Sequence, residues 1–443
     1  MVGVSLGAAT MCAVFGAPSA GASTRRATSS PIKHIVVIYQ ENHSFDNVLG
    51  DLCVIDKRCA GSVGPISVAG HGKVAPHVAS DVVPLVDHDV RAQTIAINHA
   101  QMNGWASVNG CQAPGFACLA YFTPDQIPTL AALARQFTIA DHEFQANLAP
   151  SWGAHLALAS GGALDGFTGD NPIPAPGVSS GPGWGCDSNR ITPWYSSTGA
   201  YALVPSCIPD YSLALPNGGA FEPTPVAQVP TIMDRLDAAG LSWKLYTPPA
   251  TGRGYVWAIC PTFAECLYSN QANGMSPDSD VLTDAASGRL PAFSVVTPDM
   301  AVSQHNDSSM AAGDNWIGQV VGAVEQGSDW NSTAIFITWD DCGCFYDHVA
   351  PPTGEGMRAP MVIVSPFAKP GYTDSTTADV VGSILAYTEK NFGLRPLTAV
   401  DQNAYDFSHT FNYSQVPLKP RLLPRPIPAT QVVPSAQDAY DPT

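Results

Sequence analysis

Two apolar runs, each ending in a pair of oxygen-bearing side chains, constrain this chain more than any other feature. The first, Ile35-Val36-Val37-Ile38, passes into Tyr39-Gln40-Glu41-Asn42-His43-Ser44-Phe45-Asp46. The second, Ala334-Ile335-Phe336-Ile337-Thr338-Trp339, ends in Asp340-Asp341. Short apolar runs of this kind read as buried strands, and open α/β sheets carry their sites at the carboxyl ends of such strands. If the two strands are neighbours, Glu41, Asn42, Asp340 and Asp341 converge on one edge. Four such side chains can enclose a hard divalent cation. One acidic tip alone is more often a solvated loop; two in one chain shift the balance.

The rest of the pattern supplies the architecture. Strands are expected over 34–39, 138–142, 241–246, 293–297, 333–339 and 361–365. Helices are expected over 89–103, 126–137, 151–160, 231–239, 313–326 and 379–392. The helix over 313–326 shows Ile317, Val320, Val321 and Val324 at helical spacing, and Gly240 marks the stop of the helix before it. Strands alternating with helices predict an α/β fold with a doubly wound, largely parallel sheet. The stretches 51–87, 171–225 and 247–289 show little periodicity and read as loops or ordered insertions.

Cysteine placement gives the compartment. The chain has 11 cysteines. Beyond Cys12 they fall into short-range couples: Cys53/Cys59, Cys111/Cys118, Cys186/Cys207, Cys260/Cys266 and Cys342/Cys344. Proximity predicts four local bridges that pin the insertions, as suits an oxidising compartment. Cys342 and Cys344, one residue apart, are left open between a strained bridge and two thiols. Residues 1–22 are small and apolar and end in Ala20-Gly21-Ala22, which fits a cleaved signal peptide. The basic start of such leaders is missing, which leaves room for an upstream start. The expected division is a signal peptide over 1–22, a catalytic domain over 31–415 and a Pro-rich tail over 416–443. A secreted or cell-surface location follows. No other run approaches the length of a membrane-spanning helix, so no stable membrane insertion is expected. The net charge of −17 argues against a nucleic-acid partner. It leaves phosphate chemistry open, because a metal can supply the local positive charge.

Ser151, in Ala149-Pro150-Ser151-Trp152-Gly153-Ala154-His155, stands at the start of a helix. The structural role of such a serine is an N-cap. The same place suits a nucleophile, since free backbone N–H groups and the helix dipole favour an alkoxide and a bound phosphate. His88, His305 and His348 lie in polar loops and are candidate donors to phosphate oxygens or acids for a leaving alcohol.

Six segments in order resemble the bacterial phosphoesterase family of secreted acid phosphatases and phospholipases C, within the alkaline-phosphatase-like superfamily. HIVVIYQENHSFDNVLG resembles its opening strand and E-N-x-S-F-D motif. NHAQMNGW, APSWGAHLALASG, HNDSSMAAGDNWIGQVV, IFITWDDCGCFYDHVAPP and GMRAPMVIVSPFAKPGY follow in the family's order. The resemblance implies Glu41, Asn42, Asp340 and Asp341 as metal ligands. It implies Ser151 as a nucleophile that becomes phosphoserine. It places His88, His305 and, less directly, His348 near phosphate or the leaving group. Three positions depart from the pattern: Gly153-Ala154 replace Pro-Asn, Cys344 replaces a glycine, and Val380-Val381 replace Asp-His. The expected activity is a secreted, metal-dependent hydrolase of small phosphate esters, acid-phosphatase-like because the chain stops soon after the core. A phospholipase C acting on phospholipid is the alternative. A catalytically impaired binding protein, damaged at Ala154, is the reading of another class. The metal's identity and the oligomeric state are not legible.

Overall fold

Ile35, Val36, Val37 and Ile38 have branched side chains that lose freedom in a helix and pack well on a pleated sheet. They form the centre of strand β1, His34–Gln40. The computed structural model describes residues 1, 3, 30–214, 224–421 and 423–432. The other strands of the main sheet are β2 (Thr138–Ala140), β3 (Trp243–Thr247), β4 (Met275–Pro277), β5 (Phe293–Val296), β6 (Thr333–Trp339), β7 (Met361–Val364) and β8 (Thr373–Asp374). They lie in the order β4-β3-β5-β1-β6-β7-β2-β8. Only β7 runs against its neighbours; the rest share one direction.

Helices cover both faces, which is why the central strands are apolar without alternation. Val36 and Ile38 face a core shared with α1 (Phe45–Asp56), α3 (Pro128–Gln136), α7 (Asp280–Ala286) and α8 (Met310–Gln326). Ile35 and Val37 face the opposite core, with α4 (Ser151–Ser160), α5 (Ile232–Ala238) and α9 (Val380–Phe392). Two further helices, α2 (Val90–Ile97) and α6 (Ala264–Tyr268), sit among the connections.

Several expectations change. The expected loop over 51–87 begins inside α1, where Val48, Leu49, Leu52 and Cys53 are buried. Ser44 caps that helix by accepting from the Asn47 N–H. Gly50 and Asp51 interrupt the apolar pattern and hide the helix in the sequence. The stretch 247–289 is not wholly irregular, since it holds α6, β4 and α7. The helix expected over 89–103 stops at Ile97, because Asn98, His99 and Ala100 all take positive φ. The insertion over 171–225 is ordered where described. Strands 173–174, 190–195 and 201–205 form a small antiparallel sheet.

The signal peptide expected over 1–22 lies outside the described residues apart from Met1 and Gly3. In the expected tail, the described residues form neither helix nor strand but are held. The Trp330 indole donates to the Leu418 carbonyl, Arg421 N donates to Glu325, and Ile427 N donates to Asn315. Among the described residues, no helix is long and apolar enough to cross a membrane.

The four expected bridges are formed: Cys53–Cys59, Cys111–Cys118, Cys186–Cys207 and Cys260–Cys266, with Cα separations of 5.0, 5.2, 4.6 and 5.2 Å. Cys342 and Cys344 are thiols, both buried, with sulfurs 2.8 Å apart. Non-reducing peptide mapping is expected to recover these four pairs. Each removed bridge is expected to cost about 2–4 kcal/mol. Free thiols at most of the eight positions in secreted protein would refute the assignment.

Candidate active site

The register of β1 and β6 brings the two tips together. Gln40 lies opposite Trp339, and Asp340 N donates to the Gln40 carbonyl at 3.0 Å. The pairing therefore runs one residue past the strands, and Glu41-Asn42 leave the sheet beside Asp340-Asp341. Asn42 takes φ 66°, a left-handed conformation that asparagine tolerates. The Asp340 carboxylate ties the tips, its Oδ1 accepting from Asn42 N at 2.8 Å and from Asp341 N at 2.7 Å. Gly343, at φ 50°, lies directly on the Asn42 backbone, where an added Cβ would come 2.2 Å from the Asn42 carbonyl oxygen. A glycine is required there.

All four expected ligands are buried. Burial, and next the charge of Asp340, hold the Glu41 carboxyl well above the usual carboxylate range. Glu41 Oε2 and Asp340 Oδ2 are buried without a hydrogen-bond partner. Such a pair is stabilised by taking up a proton or a cation. The Asn42 amide lies between two different neighbours. One of its heavy atoms is 3.2 and 3.3 Å from the Asp341 oxygens; the other is 3.2 Å from His88 Nε2 and 2.9 Å from His305 Nε2. With its nitrogen toward the imidazoles, the amide would leave its oxygen on the Asp341 side, where it could join the ligands of a cation. The orphaned oxygens and the oxygen-rich donor set fit a divalent cation.

Ser151 Oγ lies 3.4 Å from Asn42 Oδ1 and 3.4 Å from Asp341 Oδ2. It is the first residue of α4, and Pro150 holds the cap position. The hydroxyl is thus not spent on capping. The helix N-terminus is nevertheless not the open anion cradle expected. Trp152 N donates to Asn171 Oδ1 at 2.9 Å, and Gly153 N donates to the Gly169 carbonyl at 3.1 Å. The latter contact accounts for Gly153, since a Cβ there would meet the Gly169 backbone at 2.6 Å. Ala154 is buried on a wall it shares with Tyr39, Gln145 and Asp340.

His88 and His305 are anchored alike. Nδ1 of His88 is 3.0 Å from the Val86 carbonyl, and Nδ1 of His305 is 2.7 Å from the Asn306 carbonyl. Each Nδ1–H donates to its carbonyl and turns Nε2 toward Asn42. His88 Nε2 also lies 3.9 Å from Asp341 Oδ2. The contacts of His348 lie elsewhere. Its Nδ1 is 2.6 Å from Asp46 Oδ2, in a cluster with Asp347 and the buried Arg358.

One neighbour of the site escaped assignment. His155 lies four residues after Ser151, on the same helix face. Its Nε2 is 3.0 Å from Glu41 Oε1 and 3.8 Å from Asp340 Oδ2. The i, i+4 spacing was the available signal. Arg358, inside the segment GMRAPMVIVSPFAKPGY, carries no local signal of the ion cluster it enters.

A model of the Phosphoesterase family matches residues 32–395. The non-hemolytic phospholipase C of Burkholderia pseudomallei is 26% identical over 84% of this chain and 57% of its own length. The non-specific phospholipase C1 of Arabidopsis thaliana is 26% identical over 76% of this chain and 57% of its own. The phospholipase C A of Mycobacterium tuberculosis is 24% identical over 87% of this chain and 78% of its own. The chain thus spans little more than half of the first two proteins. A solved protein of the alkaline phosphatase superfamily from Vibrio parahaemolyticus covers 83% of this chain, and the match spans 68% of that protein, at 14% identity. Its TM-score of 0.36 is too low to build on.

Proposed function

The chain belongs to the Phosphoesterase family, and from that premise we propose that it is a metal-dependent hydrolase of phosphoric esters working through a phosphoserine at Ser151. The observation that carries this reading is the meeting of the Ser151 hydroxyl, Asn42 and Asp341 beside two buried carboxylate oxygens without partners. A divalent cation held by Glu41, Asn42, Asp340 and Asp341 supplies the positive charge that eases loss of the Ser151 proton and neutralises phosphate.

The chain's own groups do the rest. Asp341 Oδ2 stands where it accepts the Ser151 proton as Oγ attacks phosphorus. The Ser–O–P bond forms as the bond to the leaving alcohol breaks, the alcohol taking up a proton, and water later releases the rest from the serine, as phosphate from a monoester or as a phosphomonoester from a diester. His88 and His305, held at Nδ1 by backbone carbonyls, turn Nε2 toward Asn42, where each in its protonated form would donate to a phosphate oxygen or give a proton to the leaving oxygen. His348, paired with Asp46 in the cluster with Asp347 and Arg358, takes no part in these steps.

The named relatives favour a phosphodiester of the phospholipid head-group type as substrate. A simple phosphate monoester, as for an acid phosphatase, is the runner-up. Four bridges support an extracytoplasmic site of action, with export directed by residues 1–22. The test is turnover of p-nitrophenylphosphorylcholine against p-nitrophenyl phosphate, before and after chelation and metal restoration. The diester is expected to be faster. Chelation is expected to cost about 100-fold or more, since a bound cation contributes several kcal/mol. A faster monoester would move the substrate to the acid-phosphatase reading. No hydrolysis of either, with any divalent metal, would favour a binding protein.

A further inference from the structure

We propose that His155 is a direct ligand of the cation, so that this chain selects a zinc-like transition metal over magnesium or calcium. The inference rests on the cation reading of the site and deepens it by naming the class of metal. Helix α4 presents Ser151 and His155 on one face, a turn apart. Glu41, His155 and Asp340 are buried, and one ligand atom from each lies within 4.8 Å of the others. Two atoms bound to one ion at about 2.0–2.2 Å lie roughly 3.0–3.5 Å apart at right or tetrahedral angles. The 3.0 Å between His155 Nε2 and Glu41 Oε1 matches that spacing, and the 3.8 Å to Asp340 Oδ2 closes with a small shift.

The surroundings favour an ion over a permanent hydrogen bond. Among the described residues, His155 is the only ion-pair partner of Glu41 or Asp340. An imidazole nitrogen offers a lone pair, the form in which histidine binds metals. Glu41 Oε2 and Asp340 Oδ2 remain without partners even with His155 in place. An ion on these three residues uses the imidazole nitrogen and Asp340 Oδ2, and brings a positive charge to both carboxylates. Oxygen donors alone suit magnesium or calcium; an added imidazole moves the preference toward zinc, cobalt or nickel.

The experiment uses the full chain, stripped with chelator and reloaded with Zn²⁺, Co²⁺ or Mg²⁺, each alone. Bound metal is read by elemental analysis, affinity by competition, and the Co²⁺ site by its visible spectrum. The wild type is expected to hold Zn²⁺ about 100-fold more tightly than Mg²⁺ or better. Loss of a residue that merely orients a metal ligand already costs about 10–100-fold in affinity, so His155→Gln is expected to lose about 100-fold for Zn²⁺. Mg²⁺ affinity should hardly change, and the Co²⁺ band should shift. His155→Cys, which restores a soft ligand, should regain Zn²⁺ and add a sulfur-to-cobalt band. It also decides the matter if His155→Gln fails to fold. Unchanged Zn²⁺ affinity and Co²⁺ spectrum in His155→Gln would overturn the proposal and leave the cation reading standing. Failure of the wild type to bind any of the three ions would overturn both.

Discussion

Ser151→Ala is expected to lower kcat by on the order of 10⁵-fold or more, with the fold intact, because a lost nucleophile removes a step that the remaining groups cannot replace. The structure makes this a clean substitution. Ser151 is buried, but its hydroxyl caps nothing, since Pro150 occupies the cap position of α4. The helix start keeps its bonds from Trp152 to Asn171 and from Gly153 to Gly169. A melting temperature close to wild type is therefore expected beside the loss of rate. Acid quenching with a phosphorus-labelled ester should leave label on Ser151 of the wild type. Full activity in the alanine variant, or label elsewhere, would point to direct attack by water.

Arg358→Met is expected to have the largest effect on stability, about 3–5 kcal/mol. In a chain this long that is a fall in Tm of roughly 4–6 °C. The guanidinium is buried. It lies 3.2 Å from Asp46 Oδ1 and 3.1 Å from Asp347 Oδ2, and it donates at 2.8 Å to the carbonyls of Ala60 and Asp141. It also lies over the Phe45 ring, 4.2 Å from the centroid. Methionine keeps much of the volume but leaves two buried carboxylates without their cation. Burial already holds the Asp347 carboxyl above its usual range, against the pull of Arg358. Without the arginine it rises further. A folded-state carboxyl raised above its unfolded value contributes stability at low pH that is lost as pH rises through the folded value. The deficit of the variant should therefore shrink between pH 7 and pH 5. Equal melting of variant and wild type at pH 7 would show that the network does not hold this edge together.

That network also shows how far the sequence could be read. Asp46 and His348 stand in recognisable segments, but a carboxylate and an imidazole in polar loops look alike whether they face a substrate or an arginine. Only the return of Arg358 from the segment before β7 ties them into an ion cluster. The same limit explains α1. Its apolar residues are interrupted by Gly50 and Asp51, and what makes the helix is burial of Val48, Leu49 and Leu52 against β1 and its neighbours. In the same way, the α4 N-terminus looked like an anion site because local sequence cannot reveal that Gly169 and Asn171 take up its N–H groups.

The sequence by itself determined the central strands, the two oxygen-bearing tips and the four local bridges, because each depends on residues close together in the chain. Apolar runs of strand length can only be buried, and an acid pair directly after such a run must lie at the sheet's carboxyl edge. Cysteines six to twenty-one residues apart meet within one insertion. Tertiary structure alone decided what those tips face. Parallel pairing of β1 with β6 sets Glu41 beside Asp340. The close approach allowed by Gly343 seats Asn42 against Asp341, and α4 lays Ser151 and His155 across both. These contacts join residues more than a hundred positions apart. No local periodicity encodes them, because they follow from how buried faces stack once the sheet has formed.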